Sequence, residues 1–165
     1  LCLDSNTGRV AWMHDMGYET FTLRLCPRRG GRTKGGMLLV GLAWGLEARS
    51  PRTGSALWTF RANHLSQGIP VLSHTHNLIL MAEWFSGKVH AVRLDGTLAW
   101  TAGREHQCVC SSMICGADVA VCITESHGMY AHNLADGSVR WYREDITSSK
   151  QRQHCHGDVA TTCVL

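Results

Sequence analysis

Apolar residues in this chain come in short runs that either alternate with polar residues or continue unbroken, and Gly, Asp-Gly, Thr-Gly or Pro punctuates them throughout. Such runs predict strands joined by tight turns. Residues 2–4 predict the end of one strand, Ser5-Asn6-Thr7-Gly8 a turn, and residues 9–13 the returning strand. Residues 18–26, 37–44, 47–50 and 55–60 predict the next four strands, with Pro51-Arg52-Thr53-Gly54 turning between the last two. A third set covers 69–73, 77–84, 88–94 and 97–101, with turns at Ser86-Gly87 and Asp95-Gly96. A fourth covers 109–114, 117–124, 129–134 and 138–142, and residues 158–165 match the opening strand of a further set. A solenoid of helical repeats would need apolar residues at i, i+3, i+4 and i+7, a spacing these segments lack.

One stretch recurs four times. Gly8-Arg9-Val10-Ala11-Trp12 returns as Gly54-Ser55-Ala56-Leu57-Trp58, Gly96-Thr97-Leu98-Ala99-Trp100 and Gly137-Ser138-Val139-Arg140-Trp141. The period is a little over forty residues, the mark of stacked units. A small residue, Cys2, Ala48, Ala91 or Ala131, precedes each tryptophan by nine or ten positions. Four short strands per unit and no helix describe an all-β, partial β-propeller of four-stranded antiparallel blades: about three complete blades plus two partial ones. In this reading the glycine reverses the chain between the last two strands of a blade, and the tryptophan wedges its ring against the neighbouring blade with its N–H free to find a carbonyl. Each ring would bury roughly 150–250 Å², or about 4–6 kcal/mol before entropic losses. Gly8, Trp12, Gly54, Trp58, Gly96, Trp100, Gly137 and Trp141 are therefore the expected structural repeat residues.

A small residue, a hydrophobic one, a polar turn ending in Gly, then three residues and Trp, resembles the quinoprotein (PQQ-like) propeller repeat. Residues 2–12 and 131–141 fit it best, and the resemblance covers essentially the whole of 1–165 as a single propeller segment. The WD40 repeat is the near rival, but Met13, Thr59, Thr101 and Tyr142 stand where it carries Asp after Trp. The resemblance implies a ring of seven or eight blades, so the chain is expected to be a segment of a larger propeller, with blade boundaries near Trp12, Trp58, Trp100 and Trp141. A four-bladed ring closed by residues 158–165 would lack one strand of its composite blade.

The 44% hydrophobic content suffices for a packed core, and no apolar run is long enough for a membrane-spanning helix. The net charge of +3 is local: Arg28, Arg29, Arg32 and Lys34 share one glycine-rich loop, and without them the balance is −1. That argues against a broad nucleic-acid face. The loop could take a phosphate or an acidic partner, although a solvated loop is the default expectation. Most of the eight cysteines sit in apolar strand-like runs, where a free thiol acts as a small hydrophobe, which favours reduced thiols and a cytoplasmic setting.

Among the family's enzymes the resemblance implies a quinone over a tryptophan, a disulfide between adjacent cysteines and a calcium site. This chain has no Cys-Cys pair; Cys108 and Cys110 are the nearest, and on a strand they would stand about 6.5–7 Å apart, too far for an unstrained bridge. His106 with Cys108 and Cys110, and His154 with Cys155 and His156, form a candidate metal grouping without a zinc spacing signature. Trp44 and Trp84, each ending a second strand, are candidates for a blade-edge contact surface, although packing against the adjacent strand is the default expectation. No catalytic, cofactor-binding or metal residue is assigned. The expected function is a non-catalytic module, a binding or scaffold domain, presenting a propeller face to a protein or small-molecule partner. The alternatives are part of a quinoprotein oxidoreductase, or an accessory propeller of an acyl-adenylating enzyme.

Overall fold

The computed structural model describes residues 1–17, 20–26, 36–63, 69–84, 86–103, 113–124 and 128–143. They form an open arc of antiparallel sheets. β1 (Cys2–Leu3) and β2 (Val10–Trp12) pair as a two-stranded unit. β3 (Thr20–Cys26), β4 (Met37–Leu42), β5 (Gly45–Arg49) and β6 (Ala56–Arg61) form a sheet in chain order, as do β7 (Val71–Ser73), β8 (Leu78–Ala82), β9 (Val89–Arg93) and β10 (Leu98–Ala102). β11 (Ile114–Cys115), β12 (Val119–Ile123), β13 (Met129–Asn133) and β14 (Val139–Arg143) complete the third. No described residue is helical. The first strands of adjacent blades, β7 and β11, come together, as sheets fanning from a common axis require.

The unbroken apolar runs follow from burial on both faces, since a strand sandwiched between two packed layers has no side to leave polar. Leu78, Leu80 and Ala82 of β8 face a core shared with the third blade, including Met113, Ala120, Cys122 and Tyr130. Ile79 and Met81, alternating with them, face a core shared with the first blade, including Cys26, Leu39, Leu46 and Ala48. Both cores lie between blades, so no blade could bury its apolar surface alone.

The turns joining the last two strands of each unit share one construction. The Gly8, Gly54 and Gly137 N–H groups donate to the carbonyls of Asp4, Ser50 and Asn133, closing four-residue loops. The Gly96 N–H donates to Arg93 in a loop one residue shorter, which is why Ala91 precedes its tryptophan by one position fewer. All four glycines lie at positive φ, between 68° and 89°, where a Cβ is disfavoured. Asp4, Asp95 and Asp136 accept from the following Thr7, Thr97 and Ser138 through both hydroxyl and N–H. Those bonds hold the three carboxyls below their ordinary range.

Cys2, Cys26, Cys115 and Cys122 are free thiols. Burial pushes Cys122 up to about 12 and raises Cys26 and Cys115 as well.

Candidate functional site

The seams between blades come first, because they fix everything else. Each small residue stands directly across from its tryptophan: Cys2 from Trp12, Ala48 from Trp58, Ala91 from Trp100 and Ala131 from Trp141. The register shifts just before every tryptophan, leaving Ala11, Leu57, Ala99 and Arg140 unpaired in a bulge. A bulge re-aims a side chain and adds local twist. Here the indoles of Trp12, Trp58 and Trp100 reach the next blade, where each Nε1–H donates over 2.9 Å to the carbonyl of Pro51, Leu94 and Leu134 respectively. The rings lie on the glycines of those turns. A Cβ on Gly54 would stand 2.5 Å from Trp12, on Gly96 2.8 Å from Trp58, and on Gly137 2.5 Å from Trp100. Each glycine thus turns its own blade and seats the preceding blade's ring, a second duty that the sequence does not reveal. Gly8 has open space above it, and Trp141 is 39% exposed.

In two of the three blades the residue after the small position anchors the same turn through its side chain. Buried Arg49 donates through Nη1 to the Gly54 carbonyl at 2.6 Å and pairs with Glu47 at 2.6 Å. Val92 holds the position in the second blade and His132 in the third, where the imidazole Nδ1 lies 3.0 Å from the Gly137 carbonyl.

A polar ladder crosses the second blade. The Glu83 carboxylate accepts from Ser86 Oγ, from the Asn63 N–H at 3.0 Å and from His90 Nε2 at 3.0 Å. His90 Nδ1 meets Thr101 Oγ1 at 2.9 Å, and its ring lies 5.5 Å from Phe60 of the first blade. Burial alone would raise the Glu83 carboxyl; the bonds from Ser86, His90 and Asn63 outweigh it and hold the group below its ordinary 4.5. A depressed carboxyl contributes stability above its unfolded value and loses it as pH falls through the folded one. Glu83→Gln is therefore expected to cost about 1–2 kcal/mol at pH 7 and to flatten the loss of stability below pH 4.5. Urea unfolding at pH 7 and pH 4 measures both, and a variant as acid-sensitive as the parent would refute the carboxylate's role. The set Glu83, His90 and Thr101 has an acid, an imidazole and a hydroxyl in series, but it lies in the seam against Phe60 and ties the crossing from β6 to β7, a structural task.

Turns alternate between the two ends of an up-and-down sheet. One end of the arc carries the β4–β5 and β8–β9 turns with Trp44 and Trp84, both partly exposed. The Arg61 guanidinium lies 5.1 Å over the Trp44 ring. The opposite end carries Asp4, Arg52, Asp95 and Asp136, and there Thr75 Oγ1 donates to the Ala117 carbonyl of the next blade at 2.8 Å. The candidates Arg28, Arg29, Arg32, Lys34, His106, Cys108, Cys110, His154, Cys155 and His156 fall outside the described residues. Among the described residues no three His, Cys, Asp or Glu side chains gather as a metal site, and no helix is long and apolar enough to cross a membrane.

The arrangement has solved counterparts. BamB from Moraxella catarrhalis superposes with a TM-score of 0.65 at 16% identity, over 83% of this chain and 41% of that one. The computationally designed protein Ika4 matches with a TM-score of 0.64 at 10% identity, over 83% of this chain and 80% of that one. The designed protein Ika8 matches at 0.59 and 11% identity, over 75% and 36%. The chain thus spans about two-fifths of the BamB structure it matches. No curated protein matches it. A family model described as outer membrane protein assembly factor BamB matches residues 1–165, and the chain belongs to that family of PQQ-like β-propellers.

Proposed function

We propose that the chain is a non-catalytic propeller module that presents the Trp44 and Trp84 end of the arc to a protein partner. The observation that carries this reading is the recurrence of a partly exposed tryptophan in successive β4–β5 and β8–β9 turns, with Arg61 laid over the first. Trp and Arg are the side chains that most often dominate protein–protein binding energy. The family description, an assembly factor, agrees with a protein ligand. In this reading the three four-stranded sheets are part of a ring of seven or eight blades. The half-exposed Leu23 and Leu25 on β3 would then meet further strands of the blade to which β1 and β2 belong.

A photo-crosslinking amino acid placed at position 44 or 84 in the full-length protein, expressed in its own host, tests the reading. Both positions are expected to yield adducts with one and the same protein, and the double variant Trp44→Ala/Trp84→Ala to lower its recovery about tenfold, a loss of about 1.4 kcal/mol. Adducts formed only from positions 52 and 136, at the other end, would exclude this face. Turnover of an alcohol by the full-length protein supplied with quinone and calcium would exclude a non-catalytic role.

A further inference from the structure

Buried imidazoles stand in both complete seams, and their surroundings treat a proton in opposite ways. A carboxylate can only accept, so His90 carries its hydrogen on Nε2, toward Glu83, and Nδ1 accepts from the Thr101 hydroxyl. Both ring nitrogens of His90 therefore have polar partners, and the Thr101 hydroxyl can turn either to donate or to accept. His132 has no such provision. The Gly137 carbonyl can only accept, so the hydrogen is on Nδ1 and the lone pair on Nε2. That Nε2 atom is buried without a partner, in a residue 1% exposed.

Among the described residues, no acceptor lies within hydrogen-bond reach of His132 Nε2. Trp100 of β10 lies 6.5 Å away and Tyr130 of its own strand is stacked at 6.2 Å. Ala120 of β12 and Val139 of β14 stand opposite in the sheet. Asp118 and Asp136, in the turns at that end, are exposed, and Asp136 Oδ1 is occupied by the Ser138 hydroxyl and N–H. Burial accordingly pushes the imidazole below its ordinary 6.5, which the Gly137 bond only partly offsets.

His132 anchors the very turn that seats Trp100, through Gly137. We infer that His132 makes the seam between β7–β10 and β11–β14 a proton-sensitive joint: charging this ring loosens the turn that receives Trp100, while the seam between β3–β6 and β7–β10 stays closed. The sister blades support the assignment, because the same position holds a permanently charged, carboxylate-paired Arg49 in one and Val92 in the other. The sign follows from linkage: the folded state binds its proton less readily than the unfolded chain, so stability falls as pH drops from 6.5 toward the folded value and then levels off.

Hydrogen exchange on the full chain at pH 7.5 and 5.5, corrected for intrinsic rates, tests this. Peptides within 128–143 are expected to exchange at least about threefold faster at the lower pH, those within 45–61 to be unchanged, and His132→Val to abolish the difference. Equal exchange at the two pH values, or an acid effect that survives in His132→Val, would overturn the inference. Should the variant fold poorly, an NMR titration of the parent decides: a His132 ring that titrates at or above the ordinary 6.5 rejects the joint, and one that titrates below it supports the inference.

Discussion

Replacing Trp100 with alanine is expected to lower the unfolding free energy by about 3–5 kcal/mol. The ring is 8% exposed and belongs to the core between the second and third blades. Its removal leaves a void between Ala91, Ala102 and the Gly137 turn, surfaces already too small to close over it. It also strands the Leu134 carbonyl, which loses the indole N–H, and an unpaired buried acceptor adds to the cavity term. A domain of this size has about 5–15 kcal/mol in all, so one substitution removes a large share. Trp100→Phe weights the two contributions differently, since it keeps most of the apolar contact but loses the donor and part of the ring, for an expected cost of about 1–3 kcal/mol. Because neighbouring blades are coupled through their shared seam, Trp100→Ala should also broaden the urea transition. A loss below about 1 kcal/mol with a sharp transition would show that the apolar strands, and not the indole, hold the blades together.

That experiment marks where the sequence is a good guide. The propeller is legible because its signals are local: a glycine four residues before a tryptophan, an Asp-Gly turn and a small residue across the hairpin all fall within a dozen positions. What the tryptophan packs against is not local. Its carbonyl partner lies 34 to 39 residues further on, and nothing around Trp58 points to Gly96. The bulges at Ala11, Leu57, Ala99 and Arg140 escape notice because a bulge adds a residue without a type of its own. The polar anchors have a faint signal in retrospect. Arg49, His90 and His132 interrupt apolar strands at positions fixed relative to the small residue, the first and last just after it and His90 just before. A lone polar residue in such a run cannot be assigned a partner until the sheets are stacked, which is why the Glu83 ladder has no signature in the sequence. The turn tryptophans are legible as residues ending second strands, and their partial burial is a property of the folded sheets that the sequence alone does not fix.

Gly137→Ala should cost about 2–5 kcal/mol, whereas Gly8→Ala should cost about 1–2 kcal/mol. The two glycines occupy equivalent turns with φ of 78° and 68°, so the left-handed backbone penalises a Cβ by a similar amount, about 1–2 kcal/mol, at both. What differs is the space above them. At Gly8 an added Cβ meets nothing within 4 Å, whereas at Gly137 it would lie 2.5 Å from Trp100 Cε3 and 3.2 Å from the Ala102 side chain. The ring cannot retreat without giving up the bond to Leu134, so overpacking adds about 1–3 kcal/mol. The difference between the two variants therefore isolates the seat from the turn. Combining Gly137→Ala with Trp100→Ala should cost less than the sum of the two, by about 1–3 kcal/mol, because the clash vanishes with the ring. Strict additivity in that double-mutant cycle, measured by urea unfolding, would mean that the glycine serves only its own turn and that the seam does not depend on ring and glycine meeting.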